Sequence, residues 1–325
     1  MTIRPPPGFP LPELVLVANQ VLTEEAEALR AALDDFGKPP QAGCPWEQDT
    51  KAWSKPAGAE AEGRAKLLLY TRHQAALISV NAYDHMLTLA RALGGDGAMP
   101  VFSHASLSRV VCEAAVRLAW FMDPAISSEE RIVRGAASLL DSAEERYKGV
   151  RALPAEMFAP SVLRDMVNSC TAERDDVQKL ITDAGLKFGY TGTGKKKRKT
   201  SVELETPSVS SPIKIRITGL MAELLPDEPS WYNVGSSVAH SYYWGLRDVD
   251  GSHPGEPMSL TPSVLDIGAA VLPAISASGL ILSRCGACYG HDASAQLRAS
   301  KERRAKIDAL TRRAATSAWA QIPVP

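Results

Sequence analysis

Three charged residues on one helical stripe are the first candidates for chemistry in this chain. Arg109, Glu113 and Arg117 recur at i, i+4 and i+8 within Ser106–Pro124, SLSRVVCEAAVRLAWFMDP, so they stack along one face of a helix. Leu107, Val110, Val111, Ala114, Leu118, Trp120, Phe121 and Met122 surround them, which sets most of that helix against protein. Charges at the edge of such a face either brace neighbours as salt bridges or line a site. A second polar set lies in Trp231–Trp244, where Ser236, His240 and Tyr243 share a face and Asn233 sits one turn earlier. Buried polar groups need hydrogen-bond partners, and the Arg109/Glu113/Arg117 stripe can supply them. His240 with Arg109, Glu113 and Arg117 is therefore the expected catalytic set. The same four residues also fit a core histidine satisfied by Glu113.

Lys195, Lys196, Lys197, Arg198 and Lys199 are five successive cations. Such a block repels itself, stays solvated and attracts phosphate backbones or acidic partners. Phe188 and Tyr190 stand just before it as possible stacking surfaces, so these five residues are the expected nucleic-acid contacts. Gly189–Lys195 nearly spells the phosphate-cradling GxxxxGK[ST] loop, but Lys196 occupies the hydroxyl position and no apolar helix follows; a nucleotide site is excluded. Near the C-terminus Arg298, Lys301, Arg303, Arg304, Lys306, Arg312 and Arg313 face only Glu302 and Asp308. That basic amphipathic helix suits either an acidic surface or one edge of the core.

Cys285, Cys288 and His291 offer three potential metal ligands, whereas a structural zinc site takes four. With no second CxxC to close the set, free thiols are expected and neither a metal nor a cofactor is. His85, beside Asp84, is the remaining histidine of note.

The net charge of −1 over 325 residues gives no global pull toward nucleic acid or membrane, so any basic site is local. Five cysteines, an odd number, and a start occupied by Pro5, Pro6, Pro7 and Pro10 in place of an apolar leader point to a reducing, cytoplasmic setting. Ile267–Ser283 carries no charge, but its Ala, Ser, Gly and Pro273 suit a core helix better than a membrane span of about 20 apolar residues.

Helical periodicity dominates, and the expected fold is an all-α multi-helix bundle with at most one short β element near 213–217. Residues 1–59 form an N-terminal helical segment, in which Thr23 could cap a second helix, followed by a polar loop over 41–59. Residues 60–185 form a helical core, with Leu67, Leu68, Ala75, Ile78, Ala82, Met86, Leu89 and Leu93 as the apolar stripe of one long helix. Ser127-Ser-Glu-Glu130 opens a further helix as a capping box, and Gly185 closes the helix after it. Residues 186–212 are expected as a basic flexible loop, and 213–325 as the helical part that completes the bundle.

Four segments in this order, Tyr83–His85 (YDH), Leu107–Pro124, Glu130/Arg131/Arg134 and Tyr232–Leu246, resemble a group of all-helical actinobacterial proteins. That group is in turn similar to the HEPN superfamily of helical-bundle nucleases and nucleotide-binding domains. The resemblance spans roughly residues 60–250. Its nucleolytic members cleave RNA without metal, using an arginine and a histidine about four to six residues apart to position the 2′-hydroxyl and stabilise the phosphate. This chain departs from the pattern: Asn233 rather than arginine precedes His240, and the spacing recurs only at Arg247 and His253, in a turn-rich stretch. The resemblance implies RNA or another phosphate-bearing ligand as partner, with metal-independent ribonuclease or toxin-type activity. The alternative is a non-catalytic helical scaffold or regulatory interaction module. A homodimer is compatible with either.

Overall fold

The computed structural model describes residues 11–36, 38–53, 58–94, 102–194, 198–205, 208–239, 241 and 264–319. Helix α1 (Leu11–Phe36) runs unbroken, because Thr23 Oγ1 donates to the Asn19 carbonyl 2.8 Å away and stays inside the helix instead of capping a new one. The polar stretch after it, expected as a loop, contains helix α2 (Pro45–Trp53). Proline suits a first helical position, the Glu47 N–H donates to Cys44 Sγ (3.4 Å), and Trp46 and Trp53 are buried.

Helix α3 (Ala59–Gly94) and helix α4 (Ser103–Phe121) lie close to their expected bounds. Helix α5 (Ser128–Arg151) starts on its capping residue: Ser127 Oγ accepts from the Glu130 N–H at 3.1 Å. A 3-10 turn (Ala155–Met157) leads to helix α6 (Pro160–Asp183), which Gly185 closes at φ +79°.

The segment 186–212, expected as a flexible loop, instead holds three strands: β1 (Lys187–Thr191), β2 (Arg198–Leu204) and β3 (Val209–Pro212). They form one antiparallel sheet with β2 in the centre. Phe188 pairs with Val202, Tyr190 with Lys199, and a bulge falls between Gly189 and Tyr190. The β element thus precedes 213–217, where helix α7 (Ile217–Leu224) begins instead. The sheet forms because Val202 and Ile213 are buried against Ile132, Val133, Ala137 and Leu140.

Helices α8 (Pro229–Ala239), α9 (Val264–Tyr289) and α10 (Ser294–Trp319) complete the described chain. The main core gathers α1, α3, α4 and α9; a second, smaller core joins α5, α6, the sheet and the N-terminal part of α3. Trp120 borders both. Among the described residues one segment, Asp266–Tyr289, is long and apolar enough to cross a membrane, and its most apolar 18-residue stretch is 67% buried inside the bundle.

Gly63 makes the closest glycine approach to another backbone among the described residues. A Cβ there would lie 2.5 Å from the Asp183 carbonyl carbon and 2.7 Å from the Ala184 nitrogen, so α3 and α6 meet backbone against backbone. Arg64 Nε donates to the Ala184 carbonyl (3.2 Å), pinning the point where α6 turns into β1.

Candidate nucleic-acid interface

The stripe on α4 is divided between neighbours. Arg109 Nε donates to Glu113 Oε1 at 2.7 Å along the helix. Arg117 turns to α5 and pairs with Asp141 at 3.2 Å. Helix α8 packs on the start of the stripe: a Cβ at Gly235 would come 3.1 Å from the Ala105 carbonyl oxygen and 3.3 Å from Arg109 Cβ. Ser237, two residues after Gly235, is buried. His240 itself lies outside the described residues, as do Arg247 and His253.

The Glu130/Arg131/Arg134 motif braces the turn between α4 and α5. Arg131 grips Asp49 with two bonds, Nε to Oδ2 at 2.8 Å and Nη2 to Oδ1 at 2.7 Å, with side chains only 7% and 2% exposed. Its remaining nitrogen donates to the Asp123 and Ile126 carbonyls. Arg284 of α9 adds a 2.6 Å bond to Asp123 Oδ1. Arg134 donates to the Trp120 carbonyl (2.8 Å), pairs with Glu130 (2.5 Å) and lies over the Trp120 ring. Asp49 escapes sequence reasoning because helix α2 was expected as a loop.

Of the five cations, Lys195, Lys196 and Lys197 lie outside the described residues. Arg198 is exposed at the start of β2. Lys199 folds back: its ammonium sits 4.3 Å above the Phe188 ring and donates to Gln178 Oε1 of α6. Burial holds its pKa below the usual lysine range, opposed by Glu144 and aided by Arg174.

On α5, Tyr147 has the guanidinium carbon of Arg174 4.3 Å from its ring centre and that of Arg151 at 5.5 Å, and Arg174 also acts on Lys199 of β2. Arg151 also donates to Tyr147 Oη (3.1 Å), and the two arginines hold the phenol below its ordinary pKa, Arg151 more strongly. Lys214 and Lys148 share Glu145 beside it. This Arg–Tyr–Arg cluster was not anticipated. Tyr147 and Arg151 are spaced i, i+4, but Arg174 arrives from another helix. Two arginines gathered at Tyr147, with half-exposed Tyr190 on the basic hairpin, are suited to neutralising phosphates and to stacking a base on Tyr190.

The other sequence candidates are engaged elsewhere. Arg303 binds buried Glu25 (2.7 Å) and Arg304 binds buried Glu228 (2.6 Å) and Ser276 (2.9 Å), so the basic helix α10 spends these cations on closing the bundle. Arg313 pairs with Glu13, and Arg312 with Asp308. His85 bonds the Asn81 carbonyl through Nδ1 (2.9 Å).

The five cysteines are free and buried, and among the described residues no group of three or more His, Cys, Asp or Glu is placed to hold a metal. Cys288 donates to the Met122 carbonyl at 3.0 Å. Burial pushes Cys112 and Cys288 from 9.0 up to about 12, so both are neutral thiols. The unfolded chain ionises near pH 9 while the folded one does not. Stability is therefore full below pH 9 and falls as pH rises toward 12, by up to ~1.36 kcal/mol per pH unit for each thiol. Urea midpoints should drop between about pH 8.5 and 10.5, and a C112A/C288A variant should show a flatter profile.

No family model, curated protein or solved structure matches this chain.

Proposed function

We infer that this protein binds single-stranded nucleic acid, RNA in the first instance, through the β1–β2 hairpin and the Arg151–Tyr147–Arg174 cluster on α5 and α6. The observation that carries this reading is that cluster, near a hairpin whose second strand opens on Arg198 and Lys199, directly after Lys195–Lys197 in the sequence. Stacking of bases on an aromatic is sequence-tolerant, and the cations would hold the backbone. The HEPN-like order of motifs agrees with an RNA partner.

Cleavage would fall to His240 with Arg109, Glu113 and Arg117. The Arg109–Glu113 and Arg117–Asp141 pairs favour the quieter alternative, in which those charges brace α4 and the protein binds without cutting. His240→Ala separates the two. Loss of RNA cleavage with an unchanged melting temperature supports a reaction centre. No cleavage in either protein, together with a stability loss of about 1–3 kcal/mol in the variant, supports a structural histidine.

Binding itself is tested by fluorescence anisotropy with a labelled single-stranded RNA of about 20 nucleotides, from roughly 50 to 300 mM salt. Affinity should fall steeply with salt, and Tyr147→Ala should weaken it by about 1–3 kcal/mol. No binding at the lowest salt overturns the assignment and leaves the scaffold reading.

A further inference from the structure

Helix α3 is apolar on two sides, and only one of them faces the core. Leu67, Leu68, Ala75, Ala82, Met86, Leu89 and Leu93 point inward and are buried. On the opposite side Tyr70, Leu77 and Val80 are 51%, 55% and 46% exposed, with Leu69 at their flank exposed 63%. A patch of this kind on a long helix marks an interaction surface.

Its spacing is specific. Lys66, Tyr70, His73, Leu77, Val80 and Asp84 follow one another at intervals of four, three, four, three and four residues, the 3.5-residue seam of a coiled coil. All six are exposed. The seam is also its own complement when reversed. Laid antiparallel on a second copy about an axis between His73 and Leu77, Tyr70 meets Val80 and His73 meets Leu77. Lys66 meets Asp84 at both ends. Each position and its opposite number add to the same total, which is the condition a two-fold, isologous interface imposes, and the alternating a and d positions pair as antiparallel coiled coils require. Further out, the acidic Glu62 of one copy comes within a turn of Arg91 of the other.

We propose that this protein forms a homodimer through an antiparallel α3–α3 seam, with Tyr70, Leu77 and Val80 as its apolar core and Lys66–Asp84 pairs closing both ends. A parallel arrangement is disfavoured, since it would set Lys66 on Lys66 and Asp84 on Asp84.

Sedimentation equilibrium of the full chain, over a wide concentration range, tests this. The wild type should be dimeric at micromolar concentration. Leu77→Glu places two carboxylates in the seam and should leave a monomer up to about 100 µM, with unchanged circular dichroism because the residue is exposed in the single copy. Lys66→Glu and Asp84→Lys each create two like-charge pairs and should each weaken the dimer roughly tenfold, whereas the K66E/D84K double variant should restore it. A monomeric wild type overturns the proposal and assigns the seam to a different partner helix. A dimer that Leu77→Glu leaves intact, or single charge variants that the double does not rescue, overturns it as well.

Discussion

Asp49→Ala should cost about 3–5 kcal/mol of unfolding free energy, the largest loss expected from any single polar change in this chain. The carboxylate is almost wholly buried and receives two bonds from Arg131. Deleting it leaves an enclosed guanidinium with two of its N–H donors unanswered and its directly bonded counter-charge gone, Asp123 nearby being already bound to Arg284. Such a loss is a large share of the 5–15 kcal/mol that holds a typical domain together. Asp49→Asn keeps the shape and one acceptor, so it should lose less, about 1–3 kcal/mol. Urea unfolding of the three proteins at neutral pH checks the order. If Asp49→Ala falls within 1 kcal/mol of wild type, the pair is not the clamp between α2 and α5 that its burial indicates.

Neutralising Lys195, Lys196, Lys197 and Arg198 together should remove the second large effect, on ligand affinity rather than stability. Each phosphate contact on a single strand contributes a salt slope of about 0.7, so four contacts give about 2.8. At about 0.15 M salt each is worth some 0.6 of a decade, and the quadruple serine variant should bind RNA about two orders of magnitude more weakly, with a slope reduced by nearly three. Lys199 is left out of this set because its ammonium already answers Phe188 and Gln178. Lys199→Ala should instead loosen the sheet's grip on α6. An unchanged slope in the quadruple variant would place the ligand elsewhere.

The helices were legible because their signals are local. Ser127 caps α5 and Gly185 ends α6 from within a few residues of sequence, and the single inward stripe of α3 follows the helical period. The sheet was not legible for a physical reason. Among its strand residues only Val202 and Ser211 are buried, so no alternation of apolar and polar residues stands out from a Gly-, Ser- and Lys-rich stretch. Helix α2 was hidden by its polar composition, since two tryptophans do the burying. Within the candidate interface the cation run was visible, but the cluster at Tyr147 needs residues 151 and 174 from two helices, and no spacing rule joins them. The outward seam of α3 was masked by the inward one, because a helix apolar on both sides has no single face to detect.

The glycine contact at residue 63 has a mechanical meaning for these proposals. With no side chain between α3 and the end of α6, the hairpin that begins two residues after Gly185 is mounted on the same helix that carries the seam. Two copies joined through α3 would then hold their basic hairpins at a set separation rather than on independent tethers. A strand long enough to reach both would be captured the second time at a high effective concentration. One that is too short would gain nothing from the pair. Length discrimination would arise from the spacing of two identical grips, without either of them reading a base.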